Sequence, residues 1–265
     1  MINKINKNKE LNHFQDLSNQ WWNSEGKFKI LHSITPLRIY YIKKNVINSH
    51  KIKYKKKPLF NLSILDLGCG GGLVCEPLAR LGANVTGVDF VTKNIEVAKK
   101  HALKSNLNIQ YIKQNLSSLH LKNKYDVILL LEVIEHLASE SGLKFYYDSL
   151  RNDGLIAISV PNKWWIFETH GAYLPLLTWN RIPFFSWLPK SIHSRFAKAR
   201  IYRKKDIRII LGNAGFEILN NHAPIISALT KGDIKIITAD NKIETLAING
   251  GVIEMQNNKI IVLAN

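Results

Sequence analysis

Two groups of residues in this sequence have types and spacings that could do chemistry. The first is Leu65-Asp66-Leu67-Gly68-Cys69-Gly70-Gly71-Gly72, which follows a short apolar run and opens a helical stretch. Glycines let a backbone turn sharply and approach a ligand closely, because no Cβ intervenes. That strand–turn–helix context is the one a nucleotide-binding loop requires. Asp89 stands 17 residues after Gly72, at the end of the next strand-like run, Val85-Thr86-Gly87-Val88. An acid there can accept hydrogen bonds from both hydroxyls of a ribose. A dinucleotide loop and a purely structural glycine turn are the alternatives.

The second group is Leu131-Glu132-Val133-Ile134-Glu135-His136, after the apolar run Tyr125–Leu131. On a helical turn Glu132, Glu135 and His136 fall at i, i+3 and i+4, so their heads share one face. Two carboxylates and an imidazole could bind one divalent ion, with oxygen ligands favouring Mg²⁺ and the histidine widening the choice toward Zn²⁺ or Mn²⁺. Without a metal, His136 is the best general base, since an imidazole titrates near neutrality. The plain alternative is that these groups cap the next helix or touch a cofactor.

The elements that must position these groups can be read from apolar patterning. Ser63–Leu67, Val85–Val88, Ile109–Ile112, Tyr125–Leu131 and Leu155–Val160 are strand-like, each nearly continuous in apolar residues. Helical stretches at Leu73–Arg80, Ile95–Lys104 and Ser141–Leu150 lie between them. Such alternation predicts a parallel sheet covered on both faces, a doubly wound α/β domain. Residues 10–42 read as helical around a turn at Gly26, and residues 43–57 carry seven lysines and no acid, as a solvated connector would. Beyond residue 222, Ile234–Ile237, Ile243–Ile248, Val252–Met255 and Lys259–Leu263 are short strand-like runs between turn signals. They predict antiparallel hairpins, an all-β segment after the α/β domain.

The chain has 265 residues, 46% of them hydrophobic, which excludes disorder over most of its length. Its two cysteines, Cys69 and Cys75, exclude a disulfide scaffold and suit a reducing cytoplasm. A net charge of +17 points to a biased coding composition, an anionic membrane surface or nucleic acid. No run approaches the roughly 18 apolar residues of a membrane span. The lysine- and asparagine-rich start has no apolar stretch of the signal-peptide kind, and no arginine to suggest a transit peptide. The expectation is a cytoplasmic protein, peripheral on the inner face of the membrane if it visits a surface.

Asp66 two residues before the first glycine, the pattern Asp-x-Gly-x-Gly-x-Gly, and the strand leading into an acidic turn together resemble the class I S-adenosylmethionine-dependent methyltransferases. In that family Gly68, Gly70 and Gly72 would line the methionine and ribose, and Asp89 would hold the ribose. A closer resemblance lies in Trp21-Trp22, Gly26-Lys27-Phe28-Lys29 and Pro36-Leu37-Arg38, which match the head of the ubiquinone-biosynthesis O-methyltransferases. Those enzymes methylate catechol hydroxyls on a polyprenylated ring. The likeness covers roughly residues 10–160. It implies S-adenosylmethionine contacts at Arg38, Asp66, Gly68, Gly70, Gly72, Asp89 and Leu131, and a divalent ion on Glu132, Glu135 and His136. Arg38 would pair bidentately with the methionine carboxylate. A metal ion would stabilise the attacking phenolate. The tryptophans are expected to bury in the core, with a lid over substrate as their second role.

Residues 161–208 depart from that family. Trp164, Trp165, Phe167, Trp179, Phe184, Phe185 and Trp187 are followed by Lys190, Arg195, Lys198, Arg200, Arg203, Lys204 and Lys205. Aromatics beside cations fit contact with anionic lipid, or a lid over an apolar substrate. A nucleic-acid base substrate is disfavoured, since amine-methylating members carry an Asn/Asp-Pro-Pro-aromatic turn where this chain has Leu-Glu-Val-Ile-Glu-His. A second resemblance appears at His222–Leu229, Lys231-Gly232, Ile248–Met255 and Ile261–Asn265, which are similar to the later part of the β-sandwich of the ATP synthase F1 epsilon subunit. These strands could extend the α/β sheet, or mark a chimera. Docking on ATP synthase subunits is the reading from another class. The implied organisation is an N-terminal helical segment and connector (1–57), a methyltransferase domain (58–220) and an epsilon-like β segment (221–265).

Overall fold

A computed structural model describes residues 17–53, 56–116, 119, 121, 123–137, 142–166, 183–197, 199–216, 226–237, 243–256 and 259–264, the last three stretches through their backbone pairing. Expectations resting on Phe167, Trp179 and Lys198 lie outside these residues.

Five strands form the main sheet: β1 (Ser63–Leu67), β2 (Asn84–Asp89), β3 (Gln110–Lys113), β4 (Tyr125–Leu131) and β5 (Leu150–Ser159). All pair in parallel, in the order β3-β2-β1-β4-β5. The central strands are apolar on both faces because both are covered, and Leu65, Leu67, Ile128, Leu129 and Leu130 are fully buried. The order reverses between β1 and β4. In open α/β sheets a ligand crevice forms outside the carboxyl ends of the strands at such a switch.

The covering helices follow their apolar spacing. In α3 (Thr92–Lys104) Ile95, Ala98 and Ala102 are buried while Lys93, Lys99, Lys100 and Lys104 face outward. Before it come α1 (Lys29–Ser49) and α2 (Cys75–Arg80), and after it α4 (Gly142–Asp148), α5 (Lys190–Phe196) and α6 (Lys204–Asn213). The first correction concerns α1. Its helix runs on through Ser49, so Lys43 and Lys44 are helical and not part of a connector. The reason is Ile42 and Val46, buried at 3% and 1% exposure, an i, i+4 pair that anchors this stretch among the lysines.

The other strands, β6 (Ile226–Ile237), β7 (Ile243–Gln256) and β8 (Lys259–Ala264), form an antiparallel sheet in the order β6-β7-β8. Ile243–Ile248 and Val252–Met255 are halves of one strand running through Asn249-Gly250-Gly251. Among the described residues these strands pair with one another and do not extend the parallel sheet.

Candidate active site

The glycine loop joins β1 to α2 directly above the switch between β1 and β4. Gly68, Gly70 and Gly72 have φ of 75°, 53° and 88°, a region that side chains with a Cβ rarely adopt. Two backbone bonds tie the loop to the end of β2: Gly68 N–H and Cys69 N–H both donate to Val88 O, at 2.7 and 3.0 Å. A Cβ at Gly68 would lie 2.6 Å from Val133 Cγ2, so the loops after β1 and β4 touch there.

Asp89 ends β2 and is 5% exposed. Its Oδ2 accepts from Gly70 N–H at 2.9 Å, and its Oδ1 accepts from Val91 N–H at 2.8 Å and from Asn94 Nδ2 at 3.4 Å. Burial pushes its carboxyl up, and the bonds from Val91 and Gly70 oppose that shift. Asp66 lies beneath the loop at 3% exposure, accepting from the Cys75 thiol at 3.2 Å.

Beyond β4 the chain does not continue as a helical turn. Glu132 has φ 59°, and a short 3₁₀ turn begins only at Ile134 and ends at His136. The expected shared helical face is therefore replaced by a left-handed corner, which also places Glu132 N–H on Ser159 O at 3.0 Å. Glu132 Oε1 accepts from Ser159 Oγ at 2.7 Å and from Arg38 at 3.2 Å. Arg38, expected on a cofactor carboxylate, here makes its ion pair with the acidic turn. Glu135 is 4% exposed. Burial, and then the charge of Glu132, pushes its carboxyl up to about 9. The two carboxylates are thus brought together. The chemistry of the donor set suits a cation, but its placement does not: among the described residues no group of three or more His, Cys, Asp or Glu converges as metal ligands.

Sequence patterning missed three contributors. Arg200, grouped above with the surface cations, clamps the 3₁₀ turn by donating to Ile134 O and Leu137 O, both at 2.7 Å. Ser159 orients Glu132 from the end of β5. Glu76, fully buried on α2, accepts from Arg80 at 3.0 Å and meets His101 Nδ1 at 2.6 Å. No motif marks them; chain topology brings Arg200 and Ser159 to the acidic turn, and His101 to Glu76. Trp21 is buried, as expected, and Trp22 is half-buried, in a small cluster with Phe28 and Leu73 beside the glycine loop.

Residues 65–158 match the methyltransferase domain family, and residues 209–265 match the β-sandwich domain of the ATP synthase delta/epsilon chain. A ubiquinone biosynthesis O-methyltransferase of Pelagibacter ubique is 40% identical over 231 residues, covering 83% of this chain and 92% of the relative. One from Rickettsia prowazekii is 38% identical, covering 74% of each. The fold is similar to that of an S-adenosylmethionine-dependent methyltransferase from Clostridium acetobutylicum, with TM-score 0.52 at 16% identity, over 79% of this chain and 89% of that one. It is also similar to magnesium protoporphyrin IX methyltransferase from Synechocystis with bound S-adenosylhomocysteine, with TM-score 0.51 at 20% identity, over 77% and 84%. The parallel sheet, its glycine loop and the acid ending β2 define an S-adenosylmethionine-dependent methyltransferase of class I. The chain belongs to the ubiquinone biosynthesis O-methyltransferase family.

Proposed function

We propose that this chain methylates a catechol or phenol hydroxyl of a polyprenylated ubiquinone precursor. The observation that carries this reading is the pairing, across one switch point, of a glycine loop with a buried acid on one side and an acidic turn ending in His136 on the other. S-adenosylmethionine supplies a methyl group on a sulfonium centre, open to in-line attack by a phenolate oxygen. The residues of this chain divide the remaining work. Gly68, Gly70 and Gly72 give the backbone close approach, Asp89 accepts from the ribose hydroxyls, and Leu131 ends the strand that lines the crevice. Arg38 fixes Glu132, and Arg200 fixes the turn that carries Glu135 and His136. His136 takes the proton of the acceptor hydroxyl as general base. Glu132 and Glu135 are the paired carboxylates of the turn that carries His136.

Trp164, Phe184, Trp187 and Ile192 are 46–61% exposed, with Lys163 over the Trp164 ring at 5.9 Å. Apolar rings beside cations support contact of this region with an anionic membrane surface, where a prenylated substrate resides. Among the described residues no helix is long and apolar enough to cross a membrane. We place the chain in the cytoplasm, peripheral to that surface. The epsilon-like strands are assigned no separate activity, and co-purification of synthase subunits would overturn that assignment.

The test is methyl transfer from labelled S-adenosylmethionine to a short-chain prenylated catechol, with Mg²⁺ or with EDTA, by wild type and His136→Gln. Turnover in EDTA that is lost in His136→Gln supports the base. Turnover lost in EDTA replaces the base by a metal on the acidic turn. Cofactor binding without turnover moves the acceptor to another small lipid or a sugar.

A further inference from the structure

Trp21 is seated on the glycine loop itself. A Cβ at Gly70 would stand 2.3 Å from Trp21 Cη2, and one at Gly71 2.3 Å from Trp21 Cγ, so the missing side chains are what admit the indole. Trp21 Nε1–H donates to Asn94 Oδ1 at 2.8 Å. The other end of the same amide donates to Asp89 Oδ1, and Asp89 Oδ2 accepts from Gly70 N–H. Trp21, Asn94, Asp89 and Gly70 therefore form a closed ring of contacts, with Asn94 only 2% exposed. Trp22 adds a bond from its indole N–H to Gly71 O at 3.0 Å, and Phe28 stacks on Trp21 at 4.0 Å between centroids.

Asp89 has a decision to make when a ribose arrives. A carboxylate offers about four acceptor sites. Gly70 and Val91 hold two of them in short bonds to rigid backbone, while Asn94 holds a third at 3.4 Å. Phe90 N–H also bonds this carboxylate. Of its donors only Asn94 is a side chain, and its 3.4 Å bond is the one that a ribose hydroxyl can displace. The Oδ1 end of the Asn94 amide remains committed to the indole.

We propose that Asn94 and Trp21 are positioning residues of the cofactor site: Asn94 releases Asp89 to the ribose while holding Trp21 closed over the glycine loop. The proposal rests on the reading of that loop and Asp89 as the S-adenosylmethionine site. Its consequence is that cofactor exchange and lifting of the N-terminal tryptophan are one event.

The test uses the full chain and S-adenosylhomocysteine, with affinity from calorimetry and dissociation from stopped-flow tryptophan fluorescence. Trp21→Phe removes the N–H and keeps an apolar ring; Asn94→Ala removes the acceptor; the third variant combines them. Each single change is expected to speed dissociation about fivefold, the worth of one buried neutral hydrogen bond. The double variant is expected to be no faster than the faster single one, because both break the same link. A merely structural role would lower melting temperature without this non-additivity. Dissociation unchanged in both single variants, or effects that multiply in the double variant, would overturn the proposal while leaving the cofactor reading intact. Wild type that binds no S-adenosylhomocysteine overturns the cofactor reading and the proposal with it.

Discussion

Replacing Asp66 by Asn should make the protein more stable at pH 8 and change the shape of its stability curve. Burial pushes the Asp66 carboxyl from 3.8 to about 7, with the Cys75 hydrogen bond and the Arg38 charge opposing and the Asp89 charge adding. Between those two values the folded chain holds a proton that the unfolded chain has lost. Stability from this group is therefore fully present below the unfolded pKa and is lost as pH rises through the folded one. The slope is about 1.4 kcal/mol per pH unit. From pH 5 to pH 8 wild type should lose about 3 kcal/mol relative to Asp66→Asn, which cannot titrate, and the difference should flatten above pH 8. Urea unfolding of both proteins at four pH values, followed by tryptophan fluorescence, measures it directly. A difference constant within about 0.5 kcal/mol over that range would show Asp66 to be ionised in the fold, and would refute the placing of a neutral acid under the glycine loop.

Three further outcomes can be checked with the same methods. Gly70→Ala puts a Cβ at φ 53° and 2.3 Å from the Trp21 ring, so thermal unfolding should fall by roughly 2–8 °C and cofactor affinity with it. Arg38→Ala leaves Glu132 without its cation beside Glu135. It should cost about 1–3 kcal/mol in urea unfolding, between the values of exposed and fully buried pairs. A chain ending at Phe216 should bind S-adenosylhomocysteine within about twofold of the full chain in calorimetry, since β6, β7 and β8 pair with one another and not with the parallel sheet; a larger loss would show that α1, which β6 and β7 approach, leans on them.

The parallel sheet was legible because its central strands are local apolar runs whose meaning does not depend on the rest of the chain, while the polar start of β5 at Leu150–Gly154 was not. Tyr125–Leu131 has the same bounds in sequence and structure. The glycine loop was legible for a related reason: positive φ demands a residue type, so conformation is written into the letters. The acidic turn was harder. Glu132 adopts φ 59° without being Gly or Asn, and a helical spacing argument fails at that corner. Its partners Arg38 and Ser159 lie 94 and 27 residues away, distances that only the sheet order closes. The lysine-rich stretch misled through composition, since Ile42 and Val46 decide its helix while lysines fill the counts.

Cys69 sits in the glycine loop at 6% exposure, and Cys75 opens the helix that follows it at 0%. Burial raises the Cys69 thiol to about 11 and the Cys75 thiol well above its ordinary value. At pH 7 only about one Cys69 in 10⁴ is then a thiolate, the form that reacts. The catechol proposed as substrate oxidises to a quinone, an electrophile to which thiolates add by conjugate addition. On that proposal, sheltered, protonated sulfur lets this chain keep a cysteine in its glycine loop without being arylated by the oxidised form of its own substrate.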